Sequence, residues 1–322
     1  MRTIKITDIK GIKVGHAQNF NGPTGCTVIL CEEGAVAGVD VRGGAPGTRE
    51  TDLLNPLNMM EKIQCVLLTG GSAFGLDAAS GAMKYLEENG FGFDVGVTKV
   101  PIVCGAALFD LVVGDHTIRP DKNMGYEACL NATNGEIMEG SIGAGSGATV
   151  GKVLGGQYSM KGGLGTYTVQ QGDLMVGAIV AVNCLGDVID SETGEIIAGV
   201  LNEDETGFRN TEEIMISQYS NNKNAFNGNT TIGAIVTNAK LTKSEMNKVA
   251  SMAHNGYARS IYPVHTMYDG DTIFAMGTGE TSGDVNVVGL LAARVMEKAI
   301  VRGVKKARSM CGYKSHIDMI KR

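Results

Sequence analysis

The chain has 322 residues, of which 43% are hydrophobic and 19% charged, a globular composition at a length that buries roughly 75% of the unfolded surface. A formal net charge of −6 argues against nucleic acid or an anionic membrane as partner, and no run reaches the ~18 uninterrupted apolar residues of a membrane span. Glycine, at 46 residues, is about twice its usual ~7% and has no collagen-like period, which implies tight turns and close backbone packing.

In chain order, residues 4–6, 12–15, 27–31 and 35–41 read as short strands separated by glycine-bearing turns. A polar loop follows over 42–49. Residues 64–69 form a buried strand, Gly70-Gly71-Ser72 a turn, and 76–89 a helix with Leu76, Ala79, Met83 and Leu86 on one face. Strand, turn and helix make an α/β unit. Residues 100–103 and 111–113 are further apolar runs, and glycine dominates 141–166. Strands at 174–183 and 187–189 precede a polar stretch, 191–229, which reads as the linker of the chain. It ends at Asn227-Gly228-Asn229-Thr230-Thr231, which opens directly onto a strand at 231–237. A helix begins at Thr242, where Thr242-Lys243-Ser244-Glu245 fits a capping box, with Met246, Val249, Ala250 and Ala253 inward. Asp269-Gly270-Asp271 turns into a strand at 272–276, and a helix over 284–308 ends in basic residues that suit its dipole.

Seven cysteines without a CxxC pair or a Cys/His cluster read as buried thiols in a reducing compartment. No apolar leader follows Met1, so a cytoplasmic location is expected, with no metal and no cofactor.

Several motifs resemble sites without completing them. Gly70-Gly71-Ser72-Ala73-Phe74 stands where a nucleophile elbow would, but Phe74 replaces the second glycine; a helix cap or a substrate-side turn is the commoner role for Ser72. The run from Gly145 to Lys152 lacks the glycine and hydroxyl spacing of a phosphate loop, and Gly143-x-Gly145-x-x-Ala148 is a weak dinucleotide fingerprint. The five histidines show no pairing at helical spacing and read as structural or surface groups. Lys152 and Lys161 are the cations of the glycine-rich stretch, where a lysine usually points to water.

Two features carry chemistry. At Asn229-Thr230-Thr231 a flexible turn meets a buried strand; cleavage before Thr230 would leave a hydroxyl and a free α-amine, of pKa about 7.7–8.0, on one residue. Asp269 and Asp271, two apart, fall on one face of an extended segment and can address one point. The plain alternatives are an ordinary loop and an ordinary Asp-Gly turn.

Taken together, Asn229-Thr230-Thr231-Ile232-Gly233 with Thr237-Asn238-Ala239, the Asp269-Gly270-Asp271 turn, Gly143 to Lys152, and Gly70 to Asp77 resemble the DmpA-type N-terminal-nucleophile aminohydrolases. These include L-aminopeptidase D-amidase/esterases, β-aminopeptidases and nylon-oligomer (6-aminohexanoate) hydrolases. The similarity covers nearly the whole chain in family order. The Asn-Thr junction and the Asp-x-Asp turn look most like the threonine-type nylon-oligomer branch.

The resemblance implies an α/β fold of the DmpA/ornithine acetyltransferase kind, a multilayer αββα sandwich with two sheets between helices. It implies one α/β domain over 1–322, self-cleaved between Asn229 and Thr230 into 1–229 and 230–322. Thr230 would be the nucleophile, with Asp269 and Asp271 beside its amine and hydroxyl, and Lys152 and Asn183 completing the site, Asn183 as oxyanion donor. The substrate would be a small peptide, amide or ester with a free amino end, and the assembly a homo-oligomer, a tetramer of processed heterodimers. Some relatives carry Tyr where Phe109 stands, so substrate contact at that position is expected to differ. The rival readings are an ornithine acetyltransferase-like acyltransferase and a non-catalytic ligand-binding module.

Overall fold

The computed structural model describes residues 1–218 and 228–320. Short runs of small and branched residues build a ten-stranded sheet. Its strands are β1 (Arg2–Ile4), β2 (Ile12–Asn19), β3 (Thr24–Val41), β4 (Thr48–Arg49) and β5 (Lys62–Thr69). After them come β6 (Val103–Ala107), β7 (Gly163–Gln171), β8 (Leu174–Val182), β9 (Ile232–Lys240) and β10 (Thr272–Ser282). The order across the sheet is β1-β7-β8-β9-β10-β3-β5-β6-β4, with β2 paired to β3. The pairs β9–β10 and β5–β6 are parallel, whereas the other pairings along this order are antiparallel.

The 18-residue strand β3 belongs to both halves of this sheet. Its first part pairs with β2 and β5, its last part with β10, and the register breaks between Leu30 and Ala35. The two halves pack face to face: Ile29, Val66 and Leu68 of one share a core with Ile179, Val236 and Phe274 of the other. Four helices cover the outer faces: α1 (Ala78–Glu88), α2 (Lys122–Leu130), α3 (Lys243–Ser260) and α4 (Val285–Lys306). Helices α3 and α4 bury Met246, Val249, Val295 and Met296 against Val180, Ile235 and Ile273, while α1 and α2 bury Ala79, Leu86 and Ala128 against Val28 and Leu67. Fully burying each large aliphatic side chain contributes about 1.5–3 kcal/mol. The layers therefore run helix, sheet, sheet, helix, as expected, except that the two sheets form one hydrogen-bonded path through β3. Close approach explains part of the glycine content: a Cβ on Gly165 of β7 would lie 2.0 Å from the Ala299 carbonyl of α4, so helix backbone rests on strand backbone.

The capping box at Thr242 is present, and Asp284 caps α4. Other expectations need correction. The first strand spans Arg2–Ile4, and Ile6 begins a 3-10 turn. The polar stretch 191–229 is no bare linker: it holds strand Glu195–Ala198 and helix Thr211–Ser217, anchored by buried Ile197, Ala198, Val200, Leu201 and Ile214. Its residues 219–227 lie outside the described residues. Six cysteines are buried as free thiols, but Cys311 is exposed.

Candidate active site

The sheet order brings the Asn229–Thr231 junction into the middle of the molecule. Just before β9, this segment runs parallel to Tyr268–Thr272 and continues the β9–β10 pairing outward: Asn229 N–H donates to Tyr268 O (3.3 Å), Gly270 N–H to Asn229 O (3.0 Å) and Thr272 N–H to Thr231 O (3.2 Å). On its other side, Thr230 N–H donates to Asn183 O at 2.9 Å, just past the end of β8. Thr230 is thus held between two strands and is 4% exposed. Its hydroxyl donates to the Asn229 carbonyl, the bond partner immediately before it in the chain. Gly270 faces this hydroxyl, since a Cβ there would fall 2.7 Å from Thr230 Oγ1 and 2.7 Å from Ala45 O.

The two aspartates bracket that glycine, and both are buried. Asp269 accepts from Thr266 N–H (3.0 Å), Thr266 Oγ1 and Leu185 N–H (3.4 Å). Burial first, then the neighbouring Asp271 charge, pushes its carboxyl up to about 6. Asp271 accepts from Thr231 N–H (2.9 Å) through Oδ1, and from His265 N–H (3.1 Å) and His265 Nδ1 (2.8 Å) through Oδ2. Asp271 therefore grips the residue after Thr230, and Asp269 pins the turn that carries Gly270. The loop expected over 42–49 closes over both, with Arg42 N–H bonded to Asp271 O (2.9 Å) and Ala45 N–H to Asp269 O (2.8 Å).

Lys152 and Asn183 form the opposite wall. The Lys152 ammonium donates to Asn183 Oδ1 (2.8 Å), Asn183 O (3.1 Å) and Gly228 O (3.3 Å). Burial lowers its pKa to about 8 against the pull of Cys184, Asp269 and Asp110. Thr149 N–H also donates to Asn183 Oδ1 (3.0 Å), which fixes the orientation of that amide, and Asn183 Nδ2 donates to Phe109 O (3.0 Å). A cavity of about 130 Å³ opens here, lined by Phe109, Val112, Thr149, Lys152, Ser159 and Tyr313.

Sequence reasoning placed most of these residues, and the fold brings Asn229, Thr230, Lys152, Asn183, Asp269 and Asp271 together. Phe109 stands beside them, its ring covering Gly228. Ser72 sits one shell out, with a positive φ of 55° and its N–H bonded to Leu108 O at 2.9 Å, directly before Phe109. Gly71, not Ser72, occupies the cap position of that turn. The two lysines do not point to water. Lys161 is fully buried, donates to Ser146 O (2.8 Å) and Ala148 O (2.7 Å), and is lowered to about 7 by burial. His265, read with the other histidines as a structural or surface group, contacts Asp271, and Thr266 escaped notice; the three-residue spacing of Thr266 and Asp269, a common side-chain turn, was the available signal. Among the described residues no group of His, Cys, Asp and Glu could hold a metal ion, and no helix is long and apolar enough to cross a membrane.

The profile described as Peptidase family S58 matches residues 5–318. The chain belongs to that family. It is therefore a hydrolase of amide bonds, of the aminopeptidase and amidohydrolase kind. Among its relatives, an uncharacterized aminopeptidase of Mycobacterium tuberculosis is 40% identical over 98% of this chain and 97% of the relative. A 6-aminohexanoate-oligomer endohydrolase of Kocuria sp. is 33% identical over 92% of this chain and 85% of the relative. The fold is shared with the L-aminopeptidase D-Ala-esterase/amidase of Ochrobactrum anthropi, described as a variant of the Ntn-hydrolase fold, at a TM-score of 0.71 and 19% identity over 95% of this chain and 87% of that one. It is also shared with a Burkholderia sp. β-aminopeptidase, at a TM-score of 0.69 and 20% identity over 99% of this chain and 94% of that one.

Proposed function

We propose that this S58 peptidase cuts itself before Thr230 and then uses the Thr230 hydroxyl, with the newly freed α-amine as proton acceptor, to hydrolyse amide bonds of small substrates that carry a free amino end. The observation that carries this reading is the Thr230 hydroxyl lying on the Asn229 carbonyl while Gly270 N–H already donates to the same oxygen. Attack of Oγ1 on the Asn229 carbonyl carbon builds negative charge on that oxygen, where Gly270 N–H stands preorganised. The Asn229–Thr230 peptide bond then breaks, the proton passing to the leaving nitrogen, and an ester remains on Oγ1. Water hydrolyses the ester, giving an Asn229 carboxylate and a Thr230 amine.

Two features favour this sequence. Lys152, lowered to about 8, is partly neutral near neutral pH and shares the Asn183 carbonyl with the scissile nitrogen, so it can relay a proton there. The Asn229 side chain is buried, and among the described residues both its amide atoms lack a hydrogen-bond partner. Such groups cost about 1–3 kcal/mol each, and departure of the cut end relieves that cost.

In the mature protein a substrate carbonyl takes the place of Asn229, with Gly270 N–H and the second N–H of Asn183 as oxyanion donors. Thr230 forms the acyl-enzyme, the amine leaves, and water releases the acid. Relatives named as aminopeptidases and as a 6-aminohexanoate-oligomer endohydrolase support an amide substrate with a free amino end. The reading includes a homo-oligomer of processed heterodimers in the cytoplasm.

Denaturing electrophoresis with intact mass tests it. Fragments 1–229 and 230–322 are expected, and Thr230→Ala abolishes both cutting and turnover while Thr231→Ala leaves cutting in place. A chain that stays whole on prolonged incubation refutes the reading; the opposite behaviour of the two variants moves the nucleophile to Thr231.

A further inference from the structure

A pair of packed histidines, His254 buried and His265 half-buried, lies behind the Asp269–Asp271 turn. His265 donates twice to Asp271 Oδ2, from its backbone N–H (3.1 Å) and from Nδ1 (2.8 Å). A carboxylate oxygen accepts, so Nδ1 of the imidazole is the donor in this contact. Its other nitrogen, Nε2, is buried and has no hydrogen-bond partner among the described residues. The ring packs edge-on against His254 (centroids 4.8 Å apart) and stacks on Tyr257 (6.0 Å). His254 is bonded through Nε2 to Asp40 O (3.0 Å), and its Nδ1 is likewise unpartnered among the described residues. Among the described residues the imidazole of His265 therefore makes one polar side-chain contact, and that contact is to Asp271. The other oxygen of that carboxylate accepts from the N–H of Thr231 at 2.9 Å.

We propose that His265 is a positioning residue for the nucleophile: its Nδ1–H locks the Asp271 carboxylate, which holds the Thr231 N–H and so fixes where the Thr230 hydroxyl points. This inference rests on the reading of Thr230 as nucleophile. The geometry makes it specific. The backbone N–H of residue 265 alone would hold Oδ2 from one side at 3.1 Å, and the imidazole adds a second, shorter donor at 2.8 Å that fixes the plane of the carboxylate. The rings of His254 and Tyr257 hold the imidazole itself in place. A hydroxyl displaced by about 1 Å can cost on the order of 10²-fold in rate, so a residue without any contact to substrate governs the reaction.

The test uses a substitution that keeps the donor and one that removes it. His265 has a φ of +58°, a region that Asn and Asp both tolerate, so neither His265→Asn nor His265→Asp strains the backbone. The Asn Nδ2 falls where His Nδ1 stands and can donate to Asp271. Asp, of the same size, only accepts once ionised, so the comparison is made toward the alkaline end of the activity range, where a proton shared with Asp271 is lost. His265→Asn is expected to keep cutting and kcat within about threefold of the unaltered protein. His265→Asp is expected to lose about 10²-fold in both, with KM within about twofold. Hydrogen exchange at the Thr231 amide reads the brace directly: at least tenfold faster in His265→Asp than in His265→Asn, with Ala234 and Val236 of the same strand unchanged.

Equal rates and equal Thr231 exchange in the two variants overturn the proposal. A loss in His265→Asn as large as in His265→Asp also overturns it, because the ring and not the donor would then matter. Differential exchange at Thr231 in a protein that never cuts itself upholds the brace and condemns the nucleophile reading instead.

Discussion

Gly270→Ala is the sharpest single perturbation of this site. Gly270 does not have a positive φ, so the substitution adds a methyl group without backbone strain. That methyl would fall 2.7 Å from Thr230 Oγ1, 2.7 Å from Ala45 O and 3.1 Å from Thr230 Cγ2, against an ordinary heavy-atom contact of about 3.5 Å or more. Something must move by roughly 0.5–1 Å. The Ala45 carbonyl is backbone, in a loop tied down by bonds from Arg42, Gly44 and Ala45 to Asp271, Thr266 and Asp269. The Thr230 side chain rotates more easily, so the displacement falls on the hydroxyl. Misplacement on that scale costs on the order of 10²-fold in rate, whereas the overpacking destabilises by about 1–3 kcal/mol, a shift of a few degrees in Tm. The assay is a time course of fragment appearance by intact mass, with turnover of a small amino-acid amide and a thermal melt alongside. Gly47→Ala serves as control: a Cβ there meets its nearest atom, Ala107 O, at 3.7 Å, so rate and melting are expected to match the unaltered protein. If Gly270→Ala cuts itself and turns over at the unaltered rate, the placement of the Thr230 hydroxyl against this turn is wrong.

Two further outcomes follow from the same wall of side chains. Asn183→Ala is expected to slow cutting and turnover by about 10²–10³-fold, the cost of one oxyanion donor, about 2.7–4 kcal/mol; a loss below tenfold, measured under single-turnover conditions, refutes Asn183 as donor. Asp269, raised to about 6 in the folded protein, binds its proton more tightly folded than unfolded. Its contribution to stability is therefore complete below about pH 4 and is lost as pH rises through 6, a change on the order of 3 kcal/mol. Denaturant midpoints between pH 4 and 7 should show this slope in the unaltered chain and lose it in Asp269→Asn; identical slopes refute the raised carboxyl.

Most of the site was legible in the sequence because its residues sit where local pattern changes: Thr230 at the edge of a β-branched run, Asp269 and Asp271 around a glycine, Lys152 in the glycine-rich stretch. What stayed hidden depends on contacts far along the chain. Lys161 reads as a solvated loop lysine, yet the pairing of Met160–Lys161 with Thr149–Val150 turns it inward onto two carbonyls. His265 has no partner at helical spacing, and its role exists only because the chain folds back within six residues to meet Asp271. The strands were found largely by period, but the division of one path into two layers depends on the register break in β3, which apolar alternation does not encode. The helix and strand inside 191–218 were missed because polar residues dominate the stretch while only a few apolar ones anchor it.

The order of strands across the sheet has a consequence for a molecule cut before Thr230 as proposed. The segment from Thr230 onward supplies β9 and β10, neighbours in the middle of the sheet, with β8 on one flank and β3 on the other, both from the segment before it. Each piece is thus wedged into the other along two seams, and neither owns a complete hydrophobic interior. Parting them would mean dismantling the whole architecture, so a severed molecule would persist as one body; but denatured, it would be two separate polymers, whose reunion is a bimolecular encounter that an uncut chain never has to make.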